Sequence, residues 1–406
     1  MGKWETIFFE EILEEKLIGL VRNTKQQSFE NDVNYLKMNN ITNDGNLDLN
    51  NLIKVNASIE EIEKYKLKKG DFLFNTRNSI ELVGKTAVYN EEKSGPLLFN
   101  NNIMRSRFKS DFDPYFINYQ FQSTQFKERL EKIKSGTTSV AAIYYKSLKD
   151  IILKFPPLPE QQRIVAKLDA LFEKIDKAIA LLEENIQHTQ ALMGSVLDEE
   201  FGKLENYEIL TIDEVKESNV IGLVRSSKIQ DYDREFDYLK MNNITRNGDL
   251  DLSDVVCVDA TKEEFEKFSL KKGDFLFNTR NSIELVGKTA VYDLDKSILY
   301  NNNIMRLRFR EGVNPYFVNF QFFTNKTKMD LEKIKSGTTS VAAVYYKTFK
   351  NLELKIPKIE TQNKIVEKLS EFSNKLNQTT AYQTQKLNNL KALKSSLLDK
   401  AFIGEL

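Results

Sequence analysis

LKKGDFLFNTRNSIELVGKTAVY, residues Leu67–Tyr89, stands again without a change at Leu270–Tyr292. LEKIKSGTTSVAA at Leu130–Ala142 stands again at Leu331–Ala343. YLKMNNIT and NNNIMR also occur in both halves, in the same order. Roughly three in five positions match between Ile18 and Lys154. A period this long is no solenoid, whose repeats run about 20–50 residues. Each copy is long enough to fold around its own core. Two nearly identical binding domains on one chain imply a target with two nearly identical halves.

The first part of each copy reads as strands and turns. YLKMNNIT runs into NDGNLDL or RNGDLDL, a strand followed by an Asp-Gly or Asn-Gly turn. SIEEIEKY and TKEEFEKF read as short capped helices. KKGDFLFNTRNS, VGKTAVY and IMRSRF (IMRLRF in the second copy) read as further strands. Asp113-Pro114 and Asn314-Pro315 each open a helix with an Asx cap and proline at the first position. That helix is expected to reach Lys134 or Lys335 and to end at Gly136 or Gly337 in a left-handed cap. DIILKFPPLP and NLELKIPKIE supply the last strand of each copy.

The periodicity then changes. Apolar residues fall at Ile164, Leu168, Leu171, Ile175, Ile179, Leu182 and Ile186. The second copy gives Ile365, Leu369, Phe372, Leu376, Leu387, Leu390, Leu393 and Leu397. Steps of three and four make an a/d seam on helices about 60 Å long. Parallel pairing would require the link Gly202–Val220 to return that whole distance, which it could barely do fully extended. Antiparallel pairing requires no return. The expected fold is α/β: two repeated mixed α/β domains, at 1–157 and 204–356, separated by a long antiparallel two-helix coiled coil with pseudo-two-fold symmetry, its helices at 158–203 and 357–406.

Composition points the same way. The 406 residues balance 59 Lys and Arg against 59 Asp and Glu. A neutral chain does not grip nucleic acid by bulk charge alone, but it can read bases locally while partners neutralise phosphates. No apolar run approaches the roughly 20 residues of a membrane span. The start MGKWETIFFEEILEEK lacks the basic-then-apolar order of a secretory signal. With Cys257 as its one cysteine, the chain has no disulfide framework, and a cytoplasmic location is expected.

Catalytic chemistry is hard to build. His188 is the one histidine, on the polar part of a helix, so a zinc site or a duplicated nucleophile–base pair is excluded in practice. There is no GxxxxGK[ST] phosphate loop. FPPL at Phe155–Leu158 approaches the motif of adenine methyltransferases but lacks its polar first and aromatic last residues. No nuclease carboxylate pattern stands out.

Binding chemistry is present twice. NTRNS packs amide and guanidinium donors into one turn, with Asn75, Arg77 and Asn78 in the first copy and Asn278, Arg280 and Asn281 in the second. Arginine reads guanine bidentately and asparagine reads adenine. Lys85 and Lys288 follow in VGK. KIKSGTTS supplies Lys134, Thr137, Thr138 and Ser139, repeated as Lys335, Thr338, Thr339 and Ser340. YLKMNN adds Lys37, Asn39 and Asn40, repeated as Lys240, Asn242 and Asn243. Asn-rich turns are often turns alone, so each of these is a candidate DNA contact rather than an assigned one. The copies differ at Gln26–Asn34 against Ile229–Asp237, at Asn56–Lys66 against Asp259–Ser269, and around Glu91–Phe99.

So organised, the chain resembles the specificity subunit of type I DNA restriction–modification systems over its full length. The most specific element is the junction KFPPLPEQQRIVAKLDALF at Lys154–Phe172. The second junction, KIPKIETQNKIVEKLSEF at Lys355–Phe372, departs from it at Lys358, Glu360 and Thr361 but keeps Gln362. LLDKAFIGEL at Leu397–Leu406 looks like the family's C-terminus, with LDEEFGKL at Leu197–Leu204 as its echo. The resemblance implies two target-recognition domains and no catalytic activity or cofactor of its own. It implies double-stranded DNA as ligand. It also implies two adenine methyltransferase subunits that use S-adenosylmethionine, and two ATP-dependent restriction subunits, as partners. A stand-alone bipartite DNA-binding protein is the competing reading, and an enzyme fusion that both reads and modifies DNA is a third.

Overall fold

A computed structural model describes residues 4–90 and 95–406. They fall into two compact units, Met1–Glu183 with Gln385–Leu406, and Glu184–Thr384. Each unit holds one copy of the repeat and a piece of each long helix. The helices run Leu158–Gly202 and Ile359–Phe402.

The first unit is built on an antiparallel sheet ordered Leu13–Ile18, Ile103–Phe108, Phe72–Asn75, Thr86–Val88. FLFN is the strand that explains the packing, because it is buried on both faces. Phe72 and Phe74 face one core with Phe9, Met104, Phe116 and Phe121. Leu73 faces the other with Leu36, Ile41, Leu97 and Phe99. The alternation follows from the two-residue period of a strand. The second core is closed by a smaller sheet, Gln27–Ser28, Ile53–Val55, Val33–Leu36 and Leu97–Phe99. Glu5–Phe8 pairs with Ile152–Phe155 and brings the chain to the long helix.

The seam buries Ile164, Leu168, Phe172 and Ile175 with Leu398 and Ala401 in the same core as the sheet. Lys394 bonds Asp176 at 2.7 Å and Lys391 bonds Glu183 at 3.1 Å, so the two helix segments of this unit run antiparallel. Leu393, expected on the seam, is 46% exposed. Leu398 and Ala401 are buried instead, beside the half-buried Leu390 and Leu397.

The expected single helix from Pro114 is two helices. Pro114–Gln122 is capped by Asp113, and Thr124–Glu131 follows after a break at Ser123. Ser123 turns its hydroxyl back to the Gln120 carbonyl at 2.7 Å, and Asp399 supplies the cap it leaves out. Its carboxylate accepts the Thr124 backbone N–H at 2.8 Å and hydroxyl at 2.7 Å, so a distant acid caps a helix that Ser123 leaves uncapped. Gly136 is no helix cap either. It lies in a hairpin strand at φ 131°, where a Cβ would stand 2.3 Å from the Val140 carbonyl oxygen. YLKMNNIT likewise stops being a strand at Leu36 and turns into the 3₁₀ segment Met38–Asn40.

The second unit repeats this plan. Lys216–Ile221, Ile304–Phe309, Phe275–Asn278 and Thr289–Val291 form its main sheet. Tyr207–Thr211 pairs with Glu353–Pro357, so the link after the first long helix belongs to this repeat. Its helices Pro315–Phe322 and Asn325–Ile334 break at the same place, and Asp198 accepts the Asn325 backbone N–H at 2.8 Å. Lys368 bonds Glu200 at 2.8 Å and Gln383 bonds Thr189 at 3.2 Å, again an antiparallel order within the unit. No helix among the described residues is long and apolar enough to cross a membrane.

Candidate nucleic-acid interface

The loops that are identical between copies leave one end of the main sheet. In the first unit the register pairs Ile18 with Met104, Ile103 with Asn75, and Phe74 with Thr86. Residues 19–22, 100–102, 76–79 and 84–85 therefore emerge along one edge. Arg77 pairs with Ala142 and Asn78 with Ala141, which sets the hairpin Ser135–Ala142 beside the NTRNS turn. The Asn102 amide reaches Met38 Sδ at 3.1 Å, which adds the MNN turn. The same pairings recur in the second unit, with Arg280 opposite Ala343 and Asn303 reaching Met241 at 3.6 Å.

Several of the polar residues expected to touch DNA instead hold this edge together. Asn75 is fully buried, donates to the carbonyls of Arg77 (3.1 Å) and Asn102 (3.0 Å), and accepts from Asn78 (3.0 Å). Asn278 and Asn281 repeat the arrangement. Asn40 and Asn243 are buried and close the turn in each copy, 3₁₀ in the first, accepting the backbone N–H of Lys37 and Lys240 at 2.9 Å. Lys37 reaches Gln27 at 3.1 Å. Lys85 donates to the Ile41 carbonyl, and Lys288 to those of Met241 and Ile244. Burial holds both ammonium groups below the usual lysine range. Lys134 pairs with Glu131 and bonds the Ile80 carbonyl at 2.7 Å, while Lys335 pairs with Glu332 and bonds Ile283 at 3.0 Å. These lysines tie the hairpin to the NTRNS turn with their charge already partnered.

What faces solvent is a shorter set. Arg77 and Arg280 are exposed, with no side-chain hydrogen bond or ion pair to any described residue. Asn39 and Asn242 are exposed. So are Thr137, Thr138 and Ser139, and their repeats Thr338, Thr339 and Ser340. The Thr137 hydroxyl is engaged loosely by the Val140 N–H at 3.4 Å. A free guanidinium framed by hydroxyls and an amide, on a backbone fixed by the asparagines behind it, can read a base edge or a phosphate with only its own side chain left to order.

Ile18–Arg22, IGLVR, and its repeat Ile221–Arg225 also lie at this edge, and identity between the copies marks them in the sequence. The divergent segments build the smaller sheet and the helix Ile59–Tyr65, and they touch this edge where Asn56 and Glu61 hold Arg22 and Gln27 meets Lys37. Residues 91–94 of the third divergent segment lie outside the described residues. In the second copy Ile229–Asp237 carries Asp231, Asp233, Glu235 and Asp237. No group of His, Cys, Asp and Glu that could hold a metal occurs among the described residues.

Comparison with known proteins agrees with this layout. The profile of the type I restriction modification DNA specificity domain matches residues 1–185 and again 205–389. The type I restriction enzyme EcoKI specificity subunit of Escherichia coli (strain K12) is 27% identical over 158 residues, which is 39% of this chain and 34% of that protein. The EcoBI specificity subunit of Escherichia coli is 23% identical over 343 residues, 77% of this chain and 70% of that protein. Among solved structures, a chain from a study of complex assembly and conformational transition of the type I R-M system superposes with a TM-score of 0.75. It is 19% identical and covers 100% of this chain and 98% of that one, a likeness of fold.

Proposed function

Since the chain belongs to the type I restriction–modification DNA specificity family, we propose that it reads an interrupted palindrome in double-stranded DNA and brings adenine methyltransferase and restriction subunits to it. One observation carries the palindrome. The loops NTRNS, GTTSVAA, YLKMNN and NNNIMR are identical between copies and gather at one sheet edge in each unit. Identical loops offer identical donors and acceptors, so each repeat prefers the same short sequence. The antiparallel order expected from the sequence presents the second repeat to DNA in reverse. The half-site is thus followed by a nonspecific spacer and its reverse complement, with centres about one helical turn apart. The acidic segment Ile229–Asp237 supports this, because its carboxylates repel phosphates and leave the reading to the shared edge.

In this reading 1–157 and 204–356 are target-recognition domains, and the helices of 158–203 and 357–406 set the spacer length and dock two methyltransferase subunits. Two ATP-dependent restriction subunits join them in the cytoplasm. The chain itself needs no cofactor and carries no catalytic residue. The proposed base and phosphate contacts are the solvent-facing members of the candidate set, Asn39, Arg77, Thr137, Thr138 and Ser139 with their repeats. Lys37, Asn40, Asn75, Asn78, Lys85 and Lys134 with their repeats act behind them. Mapping methylated adenines across the host genome tests the proposal. An interrupted palindrome is expected. Two unrelated half-sites, or a direct repeat, would assign reading to the divergent segments instead.

A further inference from the structure

IGLVR contains a residue that its packing does not explain. Gly19 is pressed against the neighbouring loop, where a Cβ would stand 2.2 Å from the Asn100 carbonyl oxygen. Leu20 is buried, and its carbonyl accepts the hydroxyl of the buried Tyr35 at 2.5 Å. Arg22 is clamped by Glu61 at 2.6 Å and the Asn56 carbonyl at 3.0 Å, and it also bonds the Val21 carbonyl at 2.9 Å. Val21 sits between these anchors with its side chain 67% exposed. The second copy is the same: Gly222 against Asn301, Tyr238 on Leu223, Arg225 on Glu264, and Val224 68% exposed. Ile18 and Ile221 stand beside them, 47% and 44% exposed.

Folding gains little from an isopropyl group left in water. Its backbone is nonetheless fixed from both sides, and a β-branched side chain is stiff at χ1. It leaves the same sheet edge as Arg77, next to Asn100–Asn102. In the major groove, the base feature that an apolar group reads is the 5-methyl of thymine. We propose that Val21 and Val224 each read one thymine by its methyl group, one in each half-site. This inference rests on the DNA-reading role proposed above and adds to it an apolar specificity contact.

The test uses the full chain in complex with its methyltransferase subunits and duplexes carrying the mapped target. Each thymine is replaced singly by deoxyuridine, which deletes the methyl and keeps the base pair. Replacement of the read thymine in one half-site is expected to weaken binding about fourfold, the value of one buried methyl. The double variant Val21→Ala/Val224→Ala should bind the natural duplex at least as weakly and lose its response to that replacement, the non-additivity of groups in contact. A thymine scan that leaves wild-type binding unchanged overturns the inference, and so does a half-site without thymine or an equal response in the variant. If the variant instead retains less methyltransferase with DNA response intact, the patch is a protein contact and the inference also fails. Failure of the DNA-reading role looks different: the wild-type complex would not distinguish its target from a scrambled duplex.

Discussion

The buried side-chain amide of Gln161 bonds the helix cap at Asp113, accepting its backbone N–H at 2.9 Å, while its NH₂ donates to the carbonyls of Asp111 at 3.1 Å and Pro156 at 2.9 Å. One residue thus fastens the start of the long helix to the start of Pro114–Gln122. Gln362 does the same for Asn314, Gly312 and Pro357. That common task explains why glutamine survives in a second junction whose neighbours have changed.

Replacing Gln161 by Leu keeps the bulk, strands the buried Pro156 carbonyl and leaves the half-buried Asp113 N–H without its acceptor. An unsatisfied buried group costs about 1–3 kcal/mol. Gln161→Leu should therefore lower stability by about 1–3 kcal/mol, read as a fall in the denaturation midpoint with unchanged slope. A shift no larger than that of an exposed substitution on the same helix, such as Arg163→Ala, would remove this role.

Acid stability should depend on two matched pairs. The bond from Arg22, helped by the Ser58 backbone N–H, holds the Glu61 carboxyl below the usual carboxylate range. Arg225 and the Thr261 backbone do the same for Glu264. A folded-state value that is lowered contributes stability that is present above the unfolded value, near 4.5, and is lost as pH falls through the lowered one. The double variant Glu61→Gln/Glu264→Gln should lose stability at neutral pH and show a flatter acid limb below about pH 4.5. Melting curves across that range check it; a parallel downward shift at every pH would contradict it.

Much of this architecture is legible in residue order because its causes are local. The internal repeat, the Asx-Pro helix starts and the capping boxes at Ser58 and Thr261 involve residues within a few positions of each other. The cap on Thr124 is not local. Its acceptor, Asp399, lies 275 residues away, and no window of sequence contains both. The candidate site divides the same way. Grouping the identical loops was possible from identity alone. Separating Arg77, free, from Lys134, neutralised by Glu131 and tied to Ile80, required the hairpin to be placed beside the turn. Asparagine names both the exposed Asn39 and the buried Asn40, and only the 3₁₀ turn distinguishes them.

The purified chain is expected neither to methylate nor to cleave DNA when supplied with S-adenosylmethionine, ATP and Mg²⁺. The sequence lacks a methyl-donor or nucleotide motif. Co-expression with an adenine methyltransferase subunit should yield methylation. Incorporation of labelled methyl groups by the chain alone, at a level that survives repurification, would contradict the non-catalytic reading.

Arg77→Ala removes an exposed group with no partner among the described residues, so stability should change by less than about 0.5 kcal/mol. If Arg77 reads a base, its loss costs about 1–3 kcal/mol of discrimination at one position of one half-site. A palindrome can be bound either way round, so the single variant can place its defective repeat on either half. Genome-wide methylation by Arg77→Ala should then show sites with a substitution at that position in the left half or in the right half, but not in both. Sites relaxed in both halves should appear only with Arg77→Ala/Arg280→Ala. If Arg77 contacts a phosphate instead, both variants keep the full sequence preference and bind with a shallower salt dependence. Relaxation in both halves by the single variant would show that one repeat visits both half-sites, and the two-repeat reading of the target would fall.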